Sequence, residues 1–156
     1  MDINLWSSII IGASGISATI YFSYRNYKLS YEVMQKQLFS EFNGRYDKLN
    51  NFLIEIEEKF QSLEELNKSS RSTFLKQKVV DYFCLCAEEY YWHKHKRRID
   101  KIIWDSWQAG MNYWYNQVPV IKELWLSELA ANGRASYYIK VGEPGFFVDE
   151  SKGNSI

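Results

Sequence analysis

INLWSSIIIGASGISATIYFSY, residues 3–24, contains no Asp, Glu, Lys, Arg or His. As a helix it would extend roughly 33 Å, which matches the ~30 Å hydrocarbon core of a bilayer with slight tilt. Trp6 stands near one end and Tyr21, Tyr24 and Tyr27 near the other, the places where amphipathic rings meet headgroups. The stretch predicts a membrane anchor over 1–24. Asp2 is the one charged side chain before the run, whereas Arg25 and Lys28 follow it at once. The positive-inside rule then expects a single-pass protein of the inner (cytoplasmic) membrane, with its N-terminus outside and its body in the cytoplasm. A cleaved signal peptide is the rival, since Ala13, Ser17 and Ala18 are small enough for a cleavage site. Such peptides carry a positive region before the apolar run, and this one has none.

Eight of the twenty residues from Leu5 to Tyr24 are Ser, Thr or Gly, so the run is only moderately apolar for a lone helix in lipid. Ser8, Gly12, Gly15 and Thr19 recur at spacings of four, three and four, which puts small residues on one stripe. A second helix could approach closely there, so membrane lipid, a homo-oligomer or a partner membrane protein are the expected partners.

The remaining ~130 residues suffice for one domain with a proper core. Lys plus Arg equals Asp plus Glu at 19 each, so no overall field draws the chain to nucleic acid. Cys84 and Cys86 are the only cysteines, which excludes a disulfide framework and suits a reducing compartment. From Tyr24 to about Asn67 helix formers dominate and proline is absent. Phe42, Tyr46, Leu49, Leu53, Ile56, Phe60 and Leu63 alternate spacings of four and three, a heptad seam. It fits either a coiled coil between chains or a bundle helix packed on its own chain, and the bulky aromatic knobs favour the bundle. Asn43-Gly44 is the expected flaw, where a kink would divide a juxtamembrane stalk over 25–41 from a bundle domain over 42–140.

Asn67 to Thr73 is a polar connector in which Ser70, Ser72 or Thr73 could cap the next helix. That helix should run from about Phe74 to Lys96, burying Leu75, Val79, Tyr82, Phe83, Cys86 and Tyr90. Asp100 should cap a third, on which Trp104, Trp107, Met111 and Trp114 form an aromatic stripe. Gly110 beside it suggests a close backbone approach. Pro119 should begin a fourth helix, with Trp125 and Leu129 on its apolar side and Asn132-Gly133 at its end. Trp104, Trp107, Trp114 and Trp125 are thus the expected aromatic core. Tyr137, Tyr138 and Ile139 could pack as a short final segment. Residues 141–156 read as an irregular, mobile tail. No strand alternation is sustained, and the expected class is all-α.

Chemistry is sparse. Glu89 and His93 share a helix face, with Cys86, Glu88 and His95 close in sequence, but a metal site needs three or four convergent ligands. The pair reads as an i,i+4 surface contact. No nucleophile elbow or phosphate loop is present, so neither catalytic residues nor a cofactor or metal is expected, and the chain is not expected to be an enzyme. Lys94, Lys96, Arg97, Arg98 and Lys101 form the densest positive cluster, either a contact for anionic lipid or the favourable placement of cations at a helix end.

The residues Tyr82-Phe83, Cys86, Glu88-Glu89-Tyr90, Ile99-Asp100, Trp104, Trp107, Gly110, Pro119 and Trp125 resemble a broad family of small, uncharacterised bacterial and phage membrane proteins. The likeness covers roughly Asn43 to Leu129, with Ala87 departing from a Y-F-x-x-C-E-like run. It implies one anchor with a helical cytosolic domain and supplies no activity. The expected function is accordingly a membrane-anchored helical interaction or regulatory module. The alternative is a small oligomerising effector, of prophage or defence type, that perturbs the inner membrane.

Overall fold

The computed structural model describes the backbone of residues 3–150 and the side chains of residues 12–150. It is all-helical, with no strand among the described residues. Helix α1 runs Ile3–Lys59, α2 Leu63–Lys68, α3 Ser72–Tyr90, α4 Lys101–Gln117 and α5 Pro119–Asn132. A π turn over Tyr91–His95 extends α3, and a 3-10 turn over Arg134–Tyr137 follows α5. The chain separates into two compact units, residues 1–37 and 38–156.

In the first unit, Ile16, Ile20, Phe22 and Tyr24 are each more than 60% exposed. Among the described residues no helix is long and apolar enough to cross a membrane. The run expected to span one begins in residues whose side chains lie outside the described ones, Trp6 and Ser8 included. The anchor expected over 1–24 is therefore not shown.

The second unit holds the core. The heptad seam packs within the chain: Leu53 and Ile56 are fully buried, Phe42 and Leu49 nearly so, and Tyr46, Phe60 and Leu63 are half-buried. Their partners reveal the helix directions. Phe52 meets Phe74, Tyr46 meets Tyr82, and Arg45 pairs with Glu88, so α3 runs antiparallel to the end of α1. Phe42 meets Trp107, and Tyr46 accepts a hydrogen bond from Trp114 Nε1 at 3.0 Å, so α4 runs parallel to it. Helix α5 closes the unit against α2, α3 and α4.

Several local expectations give way. Helix α1 continues unbroken through Asn43-Gly44. Gly44 is exposed, and its cost of about 1 kcal/mol relative to Ala is outweighed by the flanking contacts of Phe42, Arg45 and Tyr46. The helix expected to reach Asn67 ends instead at Lys59, and α2 begins behind a cap. Ser62, in extended conformation, accepts from the Glu65 amide at 3.3 Å, while Glu65 reaches back to the Gln61 amide at 2.7 Å. This arrangement is a variant of the capping box, spelled in sequence as Ser-x-x-Glu. We expect Ser62→Ala to lower unfolding free energy by about 1 kcal/mol in a denaturant titration; an unchanged midpoint would show that the cap does not hold this break.

At α3 the cap position is Arg71, with no side-chain cap bond, rather than Ser70, Ser72 or Thr73. Asp100 does cap α4, accepting from the Ile102 amide at 2.9 Å. Gly133 ends α5 with φ 74°, a conformation glycine adopts without penalty. The stretch 141–150 has irregular backbone but is packed. Phe146 is fully buried and Phe147 nearly so, and Lys122 holds Asp149 at 3.0 Å. Residues 151–156 lie outside the described residues.

Candidate functional site

Glu89 is the one buried charged or polar residue among those described, 6% exposed on the inner face of α3. The sequence puts it there by register. Tyr82, Cys86 and Tyr90 repeat on the same apolar side, and Glu89, seven residues after Tyr82, falls about 20° from it in angle, between Leu85 and Tyr82. Its carboxyl makes no hydrogen bond or ion pair among the described residues. It borders a cavity of about 170 Å³ between α1, α3 and α4, walled by Tyr46, Tyr82, Leu85, Trp107, Gly110 and Met111. Asn43 and Ser106 supply polar atoms at the same cavity. No fully buried side-chain polar atom among the described residues lacks a partner, so the residual accessibility of Glu89 is at its carboxyl, toward the cavity.

Burial dominates the electrostatics of this group. Removal from water raises the Glu89 pKa from 4.5 to about 8; the Arg45 charge draws it down and the Glu88 charge pushes it up. Arg45 offsets less than burial imposes, and its hydrogen bonds go to Glu88: Nη1 and Nη2 donate to the two carboxylate oxygens at 2.5 and 3.0 Å. That fork is bidentate, half-exposed and close to neutral as a unit. Tyr46 donates to Asn50 Oδ1 at 3.0 Å and accepts from Trp114, so its ring is fixed against the cavity. Burial likewise pushes the Tyr82 hydroxyl and the Cys86 thiol up.

The expected surface pair of Glu89 with His93 is not formed, because Glu89 points inward. His93 stacks on Trp104 with centroids 4.7 Å apart and planes 6° from parallel, its Nδ1 3.3 Å from the Ile99 carbonyl. His95 Nε2 lies 2.9 Å from the Tyr138 carbonyl. Glu88 is taken by Arg45, and Cys86 is buried. Among the described residues no three of His, Cys, Asp and Glu converge as a metal site would need. A Cβ added at Gly110 would meet nothing within 4 Å, so no other backbone approaches it, and the residue is exposed at the edge of the cavity.

In the basic cluster, Lys94, Lys96 and Arg97 are exposed, Arg98 is half-buried, and Lys101 pairs with Asp105 at 2.5 Å. Lys96 lies over the Tyr91 ring, and Arg97 has φ 52°. The cluster begins within the π turn at Lys94 and continues past it, and the Lys96 amide bonds the Tyr91 carbonyl at 3.1 Å. On the small-residue stripe, Gly12 and Gly15 have open space around them, and Thr19 Oγ1 donates to the Gly15 carbonyl at 2.9 Å. Trp104, Trp114 and Trp125 are buried and Trp107 is half-buried, one wall of the cavity.

No protein family, curated protein or solved structure matches this chain. Its own residues must therefore carry any functional reading. Sequence reasoning misses the cavity because spacing pairs Glu89 with His93. The signal that points to it is a lone acid on the apolar face defined by Tyr82, Cys86 and Tyr90.

Proposed function

We propose that this chain is a membrane-anchored, non-enzymatic helical interaction or regulatory module, held to the bilayer through residues 3–24 with its helical domain on the cytoplasmic side. The observation that carries the reading is the charge-free run followed by Arg25 and Lys28, together with the exposure of Ile16, Ile20, Phe22 and Tyr24 in the described part of that run. Burying an Ile or Phe side chain is worth about 1.5–3 kcal/mol, so a helix presenting several of them to water is strongly favoured to move into hydrocarbon or against another helix. Gly12 and Gly15, with nothing near them in the single chain, suit a second helix in lipid. Lys94, Lys96, Arg97, Arg98 and Lys101 would then add attraction to an anionic surface.

The test is partition. After alkaline carbonate washing of membranes, the chain is expected in the pellet and released by detergent. Recovery of the intact chain in the wash would overturn the anchor. The same open stripe supports the effector reading, which requires oligomers: membrane potential should collapse on induction and recover with Gly12→Leu plus Gly15→Leu. An unchanged potential excludes the effector and leaves the module.

A further inference from the structure

The cavity beside Glu89 joins three properties that are separately ordinary. Its lining includes Tyr46, Tyr82 and Trp107, it also includes Glu89, only 6% exposed and without a hydrogen bond or ion pair among the described residues, and no cationic side chain lines it. At about 170 Å³ it has the volume for one benzene-sized molecule, and it opens to solvent where Ser106 and Gly110 are exposed. Tyr46 and Tyr82 stand with centroids 6.4 Å apart and planes inclined at 55°, so the two rings form a corner and not a stack. Trp107 is held by Phe39, stacked at 6.0 Å, and by Phe42, edge-on at 5.6 Å.

We propose that this cavity is a binding site for a small organic ammonium ion, with Glu89 as its counter-charge and Tyr46, Tyr82 and Trp107 as its π-faced walls. Aromatic faces attract cations through the ring quadrupole, most strongly when the cation is desolvated, and quaternary ammonium groups are recognised in such surroundings. The local charge balance selects the sign of the ligand. Arg45 is neutralised by Glu88 through two hydrogen bonds, so an ionised Glu89 leaves one uncompensated negative charge. From α1 the charged or titratable groups facing it are Arg45 and Tyr46; from α3 they are Tyr82, Cys86 and Glu88. The α4 wall, Ser106, Trp107, Gly110 and Met111, contributes none. An anionic ligand would find neither a donor cation nor an unfilled positive group, whereas an ammonium ion supplies what the site lacks. The site does not depend on residues 3–24, so its failure and failure of the anchor are separable.

Binding a permanently charged ammonium requires Glu89 ionised. In the free chain the carboxyl holds its proton up to about pH 8, so each ligand bound below that pH displaces one proton to buffer. Choline is the probe, since its charge is independent of pH, and 3,3-dimethyl-1-butanol is its uncharged isostere. The experiment uses the full chain in a nonionic detergent, with titrations read by calorimetry and by tryptophan fluorescence from pH 6 to 9.

Choline should bind saturably, its affinity rising close to tenfold per pH unit below about pH 8 and levelling above, with release of one proton seen as a dependence on buffer ionisation enthalpy. The isostere should bind more weakly at pH 8.5 and without that slope. Glu89→Gln should weaken choline at least tenfold and abolish the slope. Gly110→Leu, which adds a side chain at the exposed rim of the cavity, should weaken both compounds. The proposal is overturned if choline does not saturate at pH 8.5, if choline and the alcohol behave alike, or if folded Glu89→Gln retains the slope. Should either variant fail to fold, the comparison of the two compounds on the unaltered chain decides it.

Discussion

Phe146→Ala is expected to cost about 3–5 kcal/mol of unfolding free energy, as large-to-small changes at fully buried aromatics do. Phe146 has no exposed surface, and its ring meets Trp125 at 5.0 Å, Tyr90 at 6.0 Å and Phe147 at 4.7 Å. It therefore touches α3 and α5 together, and its carbonyl accepts from Gln108 Nε2 of α4 at 3.3 Å. Little room exists for collapse around the deleted ring. The segment is locked further by the Asn112 and Asn116 side chains, which bond the Val148 backbone at 2.9 and 3.0 Å. Gly145 precedes it at φ 91°, where an added Cβ would stand 3.0 Å from Ile139 Cδ1. A domain stable by about 5–15 kcal/mol would lose a large share of its margin. The measurement is denaturant unfolding followed by fluorescence, with Val148→Ala, at a half-exposed position, as the near-neutral control. A loss below about 1 kcal/mol would show that residues 146 and 147 do not belong to the core.

Stability should fall as pH rises from about 4.5 to about 8, and Glu89→Gln should remove most of that fall. The folded pKa of Glu89 is raised to about 8 from an ordinary 4.5, so between those values the folded chain binds the proton that the unfolded chain has released. Unfolding free energy then decreases with pH. Its favourable contribution is fully present below 4.5 and lost once pH passes the folded value. The full span is on the order of 4–5 kcal/mol from about 1.4 kcal/mol per pH unit. Asp81, whose pKa is lowered because the bonds from Lys78 and Gln77 outweigh desolvation, acts in the opposite sense and in a lower window. Its contribution is present above the unfolded carboxyl pKa and lost as pH falls below it. The check is a series of melts from pH 5 to 9 on both chains. Equal slopes for the two would show that Glu89 ionises normally.

The helical class, the buried faces of α3 and α4, the Asp100 cap, the Pro119 start and the Gly133 stop are legible in the sequence. Each rests on a period of 3.6 residues or on one residue's backbone preference, and both are local. The break at Phe60 is legible too, as Ser62-x-x-Glu65, but is hidden by a heptad seam that continues in register across it to Leu63. Arg71 as a cap position is not, since no side chain there announces it. Phe146 and Phe147 sit between Gly-Glu-Pro-Gly and a polar end, and two aromatics without periodicity carry no sign of whether they will find a cavity to fill.

Glu89 shows where sequence reasoning changes character. Its spacing to His93 and its spacing to Cys86 are both facts of the chain, and they suggest opposite surroundings. The choice between them is made by α1 and α4, which cover that face with Tyr46 and Trp107, and by Arg45, which pairs with Glu88 and leaves Glu89 alone.

The amino-acid order by itself determined that this chain is helical and which stripe of each helix is apolar, because periodicity and capping act within a few residues. It also determined the charge-free run at 3–24. Only tertiary packing decided that the heptad seam closes on its own chain, that residues 146–147 complete the core, and that one carboxyl ends beside an aromatic cavity. Those outcomes depend on side chains far apart in the chain, such as Tyr46 and Trp114 or Tyr90 and Phe146, meeting in space, and no local preference encodes such a meeting.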